Sequence, residues 1–253
     1  MRGLKDFLGR RLSPEEDLGL HLTIGLVLSL CLLGVFVVIA HTVESQKIEF
    51  DHAVGLRLQE HRQESPIARR CFLFITEFGS FPMMTGMAIG GALVLTIAHR
   101  RLLAFVWLLA PAGGGLLDAA LKHFYVRERP SFPDPHIHET TLSFPSGHSV
   151  ASVVSYGLLA YVLVLFLPRW WSRITALVVL GFLVLAIGFS RAYLGAHYFT
   201  DVMGGYAVGG CWLATCISAV ETIRRRRGRK ERQQAKQEEM SQAEAVSQFS
   251  SAP

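Results

Sequence analysis

Six apolar runs, at 22–40, 78–98, 102–117, 149–167, 174–190 and 202–220, divide the chain, and the charged residues crowd into the short stretches between them. A helix of about twenty residues spans roughly 30 Å, the thickness of a bilayer's hydrocarbon core. The third and fifth runs are short, and each meets a charged residue of interest at its outer end. The pattern predicts an all-α, polytopic membrane protein: one domain over 21–221 built as a bundle of six transmembrane helices. A polar tail (1–20) precedes it, and a basic, then polar tail (222–253) follows. The first run is too long for the apolar part of a signal peptide, so it reads as a retained span.

The intervening stretches add detail. Ser13 before Pro14 and two glutamates reads as a helix start. Between 43 and 77, Phe50, Val54 and Leu58 recur every four residues, which predicts an interfacial helix with one apolar stripe, a structural connector. A short helix from about Pro66 should lead into the second span, and Glu77 reads as an interfacial carboxylate without a role. Gly86, Gly90, Gly91 and Gly113 to Gly115 predict close helix approach, and Pro111 a kink without a break. The four cysteines read as small packing residues.

The net charge of +5 could suggest a nucleic-acid partner, but the placement of the charge argues against it. If the spans alternate, one side carries 16 of the 25 Lys and Arg, including Arg100, Arg101, Arg169, Arg173 and eight in the C-terminal tail. By the positive-inside rule both termini are cytoplasmic, and the stretches after the third and fifth spans face outward. The basic block after Glu221 then meets anionic headgroups at the membrane edge, and the tail beyond it reads as weakly helical or disordered.

Those outward stretches hold the chemistry. Asp118 and Lys122 lie four apart, on one helix face, and Arg129 follows two turns later, on the same face if the helix continues. A lysine at a membrane rim is costly and points to function. A guanidinium fork matches phosphate oxygens in pairs, whereas an ammonium acts as a point charge. Pro145-Ser146-Gly147-His148 precedes the fourth span, where free N–H groups and the helix dipole favour an anion. Ser146 can cap and donate, Gly147 admits close backbone approach, and His148 suits a proton donor. Finally, Arg191 is followed by His197 and Asp201 at i and i+4, a spacing that lets a carboxylate fix the imidazole tautomer and leave its other nitrogen nucleophilic. Gly195 supplies the bend that returns Arg191 to the same point.

In this arrangement K-x(6)-R-P, P-S-G-H and S-R-x(5)-H-x(3)-D, in order, resemble the three signatures of the type 2 phosphatidic acid phosphatase family over residues 70 to 220. The resemblance implies a six-helix membrane phosphatase that needs no metal or other cofactor, with its site at the outer membrane–water rim. It further implies that Lys122, Arg129 and Arg191 hold the phosphate with Ser146 and Gly147. His197 would attack phosphorus, Asp201 orient it, and His148 protonate the leaving oxygen.

The expected partners are the bilayer of the cytoplasmic membrane and a lipid phosphate or diphosphate reaching the site laterally. Undecaprenyl diphosphate is the first expectation and phosphatidic acid or phosphatidylglycerophosphate the alternative. The same motifs resemble vanadium haloperoxidases, against which the six spans argue. A non-catalytic lipid-phosphate binder or transporter would need the cations but not His197 with Asp201. On the loop 131–144, His136 and His138 beside Asp134 and Glu139 form a weak zinc-like pattern; its place near the mouth favours leaving-group selection instead.

Overall fold

The computed structural model describes residues 17–45, 49–131 and 139–250, without the side chains of 17–21, 236, 239 and 241–250. The expected helix start at Ser13, and His136, His138 and Asp134, lie outside the described residues. Eight helices make up the described chain: α1 (Asp17–Glu44), α2 (Glu49–Glu64), α3 (Pro66–Glu77), α4 (Phe81–Ile97), α5 (Arg101–Tyr125), α6 (Gly147–Phe166), α7 (Trp170–Tyr193) and α8 (Phe199–Ser250). Six stretches are long and apolar enough to cross a membrane: Leu22–Glu44, Pro66–Ile97, Arg101–Tyr125, Gly147–Phe166, Trp170–Tyr193 and Phe199–Ala235. Five match the expected runs. The second begins earlier, because α3 and α4 follow one another with only Phe78–Ser80 between them.

Two compact units result, Gly25–Ile217 and a second drawn from the chain ends, Met1–Ile24 with Ser218–Pro253. In the terminal unit α8 carries the basic block as helix, and Glu221 pairs with Arg224 and Arg225, both at 2.8 Å. The larger unit holds every motif. Its surface is apolar where a soluble protein's would be polar: Phe81 is 82% exposed and Phe182 72%. Such side chains are stable only against lipid.

Inside the larger unit, aromatic knobs seat on glycines. A Cβ at Gly91 or Gly113 would fall within 2.4 Å of the rings of Trp107 and Trp212. Each indole N–H donates to a main-chain carbonyl close by, Trp107 to Met87 at 3.1 Å and Trp212 to Ala110 at 2.8 Å. The expected glycine contacts are thus partly made, with rings rather than backbone as partners; Gly86, Gly90 and Gly115 meet nothing within 4 Å. Pro111 lies within α5 without interrupting it.

The interfacial helix α2 turns a polar face to the protein and its apolar residues outward. Asp51, Gln59 and Arg62 are its buried residues, while Phe50 and Leu56 are 60% and 52% exposed. These polar residues are buried because they have partners: Arg62 donates to the Tyr193 carbonyl at 2.9 Å, and Asp51 reaches α8. A hydrogen-bonded polar face can turn inward where the outside is lipid headgroup and acyl chain. Both α2 and α3 pack on α7.

Candidate active site

Helix α5 stops at Tyr125, where Val126 takes a left-handed conformation (φ 43°), and the described residues from there to Ser146 are not helical. The expected two-turn stacking of Arg129 over Lys122 therefore does not occur. Lys122 stays on α5, paired with Asp118 at 2.7 Å. Arg129 reaches across from the extended segment. It donates to the carbonyls of Thr141 (2.6 Å) and Ala196 (2.7 Å), and its Nη1 stands 3.1 Å from His197 Nε2. The return of this segment to α6 is anchored by Phe144, fully buried, stacked on Phe36 with ring centroids 5.7 Å apart and edge-on to Tyr125 at 5.1 Å.

At the other wall α7 ends at Tyr193, and Gly195 turns the chain at φ +77°, a conformation that favours a residue without Cβ. The amides of Ala196 and His197 then donate to the Arg191 carbonyl at 3.0 and 3.3 Å, which holds Arg191 and His197 at one point. His197 precedes α8, which begins at Phe199, so the pair with Asp201 spans a turn and the helix start rather than one helix face. Its Nδ1 is 3.5 Å from Asp201 Oδ2 and 3.5 Å from Ser143 Oγ. A guanidinium only donates, so the contact with Arg129 assigns the lone pair to Nε2 and the proton to Nδ1, facing the carboxylate. The 3.5 Å separation exceeds a hydrogen bond; such contacts commonly tighten when a reacting group is bound.

The P-S-G-H segment opens α6 as expected. Ser146 is its N-cap residue, its amide donates to the Asp201 carbonyl at 3.0 Å, and its buried hydroxyl has no partner among the described residues. A Cβ on Gly147 would stand 3.0 Å from Asp118 Oδ2 and 3.1 Å from Lys122 Nζ, so the absent side chain is what brings the lysine to the start of α6. His148, in the first turn, packs its ring against the main chain of Gly79 between α3 and α4. The charges acting on it are those of Arg191, Glu139, His197 and Lys122. All eight residues singled out from the sequence thus line one end of the larger unit, and Arg100, Arg101, Arg169 and Arg173 lie at or just within the helix starts at the other.

Several members of the site carry no motif. Glu139 bridges two of the cations: its Oε2 accepts from Arg129 at 2.7 Å and its Oε1 from Arg191. Burial alone would raise the Glu139 carboxyl, but Arg191 and Arg129 outweigh it and hold it below the usual range. Thr76, at the end of α3, accepts from Arg191 Nη1 at 3.0 Å. Ser143 donates to Asp201 Oδ2 at 2.5 Å. Arg127 holds Asp201 Oδ1 at 2.5 Å and Asp51 at 2.8 Å. Burial, more than the nearby guanidiniums, lowers His197 to about 4, with Asp201 opposing. An imidazole with an unprotonated Nε2 that Arg129 contacts, near Arg191, and with Lys122 at the start of α6, is arranged to bind a phosphate ester and attack it.

The family model of the PAP2 superfamily matches residues 101–225, which contain all three motifs. Phosphatidylglycerophosphatase B of Bacillus subtilis is 43% identical over 96 residues, 37% of this chain and 46% of that protein. The decaprenylphosphoryl-5-phosphoribose phosphatase of Mycolicibacterium smegmatis is 35% identical over 47% of this chain and 60% of its own length. That of Mycobacterium tuberculosis (H37Rv) is 31% identical over 54% and 69%. The chain thus spans about half to two thirds of the curated relatives it matches. A crystal structure described as the first transmembrane PAP2 type phosphatidylglycerolphosphate phosphatase, from Bacillus subtilis, superposes with a TM-score of 0.72 at 27% identity, covering 78% of this chain and 97% of that one. With its helices apolar on the outside and its three motifs gathered at one end, the chain is a multi-pass membrane protein of the type 2 phosphatidic acid phosphatase (PAP2) superfamily.

Proposed function

We propose that this protein is a membrane lipid phosphatase that works through a phosphohistidine. The observation that carries the reading is His197: its unprotonated Nε2 lies 3.1 Å from Arg129, and its other nitrogen faces Asp201. A protein that only binds phosphate needs the cations, not an oriented nucleophile.

The ester's phosphate sits among Lys122, Arg129 and Arg191, with the Ser146 hydroxyl and the α6 N-terminus at Gly147 donating to it. His197 Nε2 attacks phosphorus in line; the P–N bond forms and the P–O bond to the leaving group breaks, releasing the lipid alcohol from a monoester or the lipid monophosphate from a diphosphate. His148 gives its proton to the departing oxygen, and Asp201 stabilises the positive imidazole. His148 then takes a proton from water, whose oxygen attacks phosphorus, breaks the P–N bond and frees inorganic phosphate. No step calls for a metal.

A lipid substrate is supported by the bilayer setting and by an apolar groove of about 500 Å³ between α6, α7 and α8 that begins at Val153, five residues beyond His148. Within this class, undecaprenyl diphosphate is the first candidate. The Bacillus relative's name favours phosphatidylglycerophosphate and the mycobacterial ones a decaprenyl-linked phosphate. The placement of the basic residues supports a cytoplasmic-membrane protein with cytoplasmic termini and an outward-facing site. Phosphate release from undecaprenyl diphosphate, phosphatidic acid and phosphatidylglycerophosphate, by purified protein in detergent with EDTA, tests the reading. Wild type should release phosphate from at least one and His197→Ala from none. Binding of all three without release would instead make this a lipid-phosphate binder.

A further inference from the structure

We propose that Arg127 and Asp51 are positioning residues for the reaction: together they fix the rotation of the Asp201 carboxylate, so that one of its oxygens is kept for His197. The inference rests on the phosphatase reading given above.

Asp201 is fully buried, and each of its oxygens has its own partners. Oδ1 receives Arg127 Nη1 at 2.5 Å. Oδ2 receives the Ser143 hydroxyl at 2.5 Å and the Tyr198 amide at 2.9 Å, and it is this oxygen that faces His197 Nδ1. Without the arginine, Oδ1 would be a buried carboxylate oxygen short of a donor, and the group could turn about its bond to Cβ to recruit one.

Arg127 is itself held from three directions. Its Nη2 donates to Asp51 Oδ2 at 2.8 Å, its Nη1 donates to Thr200 Oγ1 at 2.8 Å, and its guanidinium carbon lies 4.2 Å from the centre of the Tyr198 ring. Asp51 closes the network by accepting from the Thr200 amide (3.0 Å) and from the Thr200 hydroxyl (2.5 Å). The Thr200 hydroxyl donates once and accepts once, so the network is chemically consistent. Asp51 belongs to α2 and Thr200 to the first turn of α8. An acid from a different helix therefore serves the free amide and dipole of the α8 N-terminus, where His197 and Asp201 meet. The side chains of Arg127 and Asp51 are 9% and 3% exposed. Neither contacts the Arg129–Arg191–Glu139 cluster, so their effect on the reaction runs through Asp201.

The test is the pH dependence of kcat and KM on dioctanoyl phosphatidic acid, or on whichever of the three lipids wild type cleaves, for Arg127→Gln, Arg127→Lys, Asp51→Asn and the Gln/Asn double variant. Arg127→Gln should lower kcat about 10- to 100-fold, as outer-shell losses do, with KM within about threefold of wild type. Its acid limb should move to higher pH. Asp201 loses its counter-charge and draws a proton to His197, while the other charges facing that ring (Arg129, Glu139, Arg191 and His148) are unchanged. Arg127→Lys should recover part of kcat. Asp51→Asn should lose about three- to tenfold in kcat with its acid limb moved the other way, to lower pH, because it removes a negative charge and leaves Arg127 uncompensated beside Asp201. The double variant should be no worse than Arg127→Gln. Arg127→Gln with an unaltered pH limb, or a loss confined to KM, would overturn the proposal. If Arg127→Gln does not fold, Asp51→Asn decides alone by its own shift to lower pH. Activity lost with His197→Ala but kept in full by these variants refutes the positioning role only. Wild type inactive on every lipid phosphate refutes the reaction beneath it.

Discussion

Two arginine–carboxylate clusters flank His197, and they are built differently. On one side Arg129 and Arg191 share Glu139, a side chain 29% exposed, on the connection between α5 and α6. On the other side Arg127 joins Asp201 and Asp51, both almost fully buried and both carried on helices. The first cluster can exchange its carboxylate for a ligand, whereas the second has no room to. On the proposed reaction the same chemistry takes opposite duties: one side would receive the substrate and the other would hold the nucleophile still.

Substitutions should separate the two sides, beginning with the residue between them. His197→Ala should abolish both phosphate release and acid-labile, base-stable phosphorylation of the protein. Asp201→Asn keeps the shape but turns the tautomer preference, and kcat should fall by about 10³ or more in steady-state assays. On the substrate side, Arg191→Ala removes a buried cation and leaves Glu139 with one partner fewer; kcat/KM should fall about 10²- to 10³-fold. The pH profile comes next. His197 must be neutral to attack, and its ligand-free value near 4 means that the neutral fraction grows as pH rises through 4. The kcat/KM profile should therefore hold down to about pH 5 and drop below it. The mildest change is Glu139→Gln. It keeps the volume and removes the competing charge, so KM should fall a few-fold and phosphate or vanadate inhibition should tighten, with kcat little altered. A rise in KM would mean that Glu139 assists binding, and the contrast between the clusters would be gone.

Much of this could be read before the fold was known, for a definite reason. Six hydrophobic runs are a length signal, and the bilayer's thickness makes length decisive. Lys122, Arg129, His148, Arg191, His197 and Asp201 stood out because charged groups at the ends of such runs are costly. The residues that escaped notice lack that contrast. Asp51 and Arg62 sit on a helix full of charge, off the Phe50–Val54–Leu58 stripe, where nothing in the pattern sets them apart. Thr76 and Ser143 are lone hydroxyls with no spacing to betray them. The continuation of α5 toward Arg129 failed at Val126, whose left-handed backbone no glycine or asparagine announced.

Glu139's bridge has an electrical consequence. Lys122, Arg127, Arg129 and Arg191 are matched by Asp118, Asp51, Asp201 and Glu139, four positive groups against four negative ones, all joined in ion pairs. These cations are thus charge-matched by their own carboxylate partners before any phosphate arrives. On the proposed reaction the site would work as an ion exchanger: a phosphate dianion would enter by displacing a tethered carboxylate, and when the product left, the resident counter-ion would take the seat back.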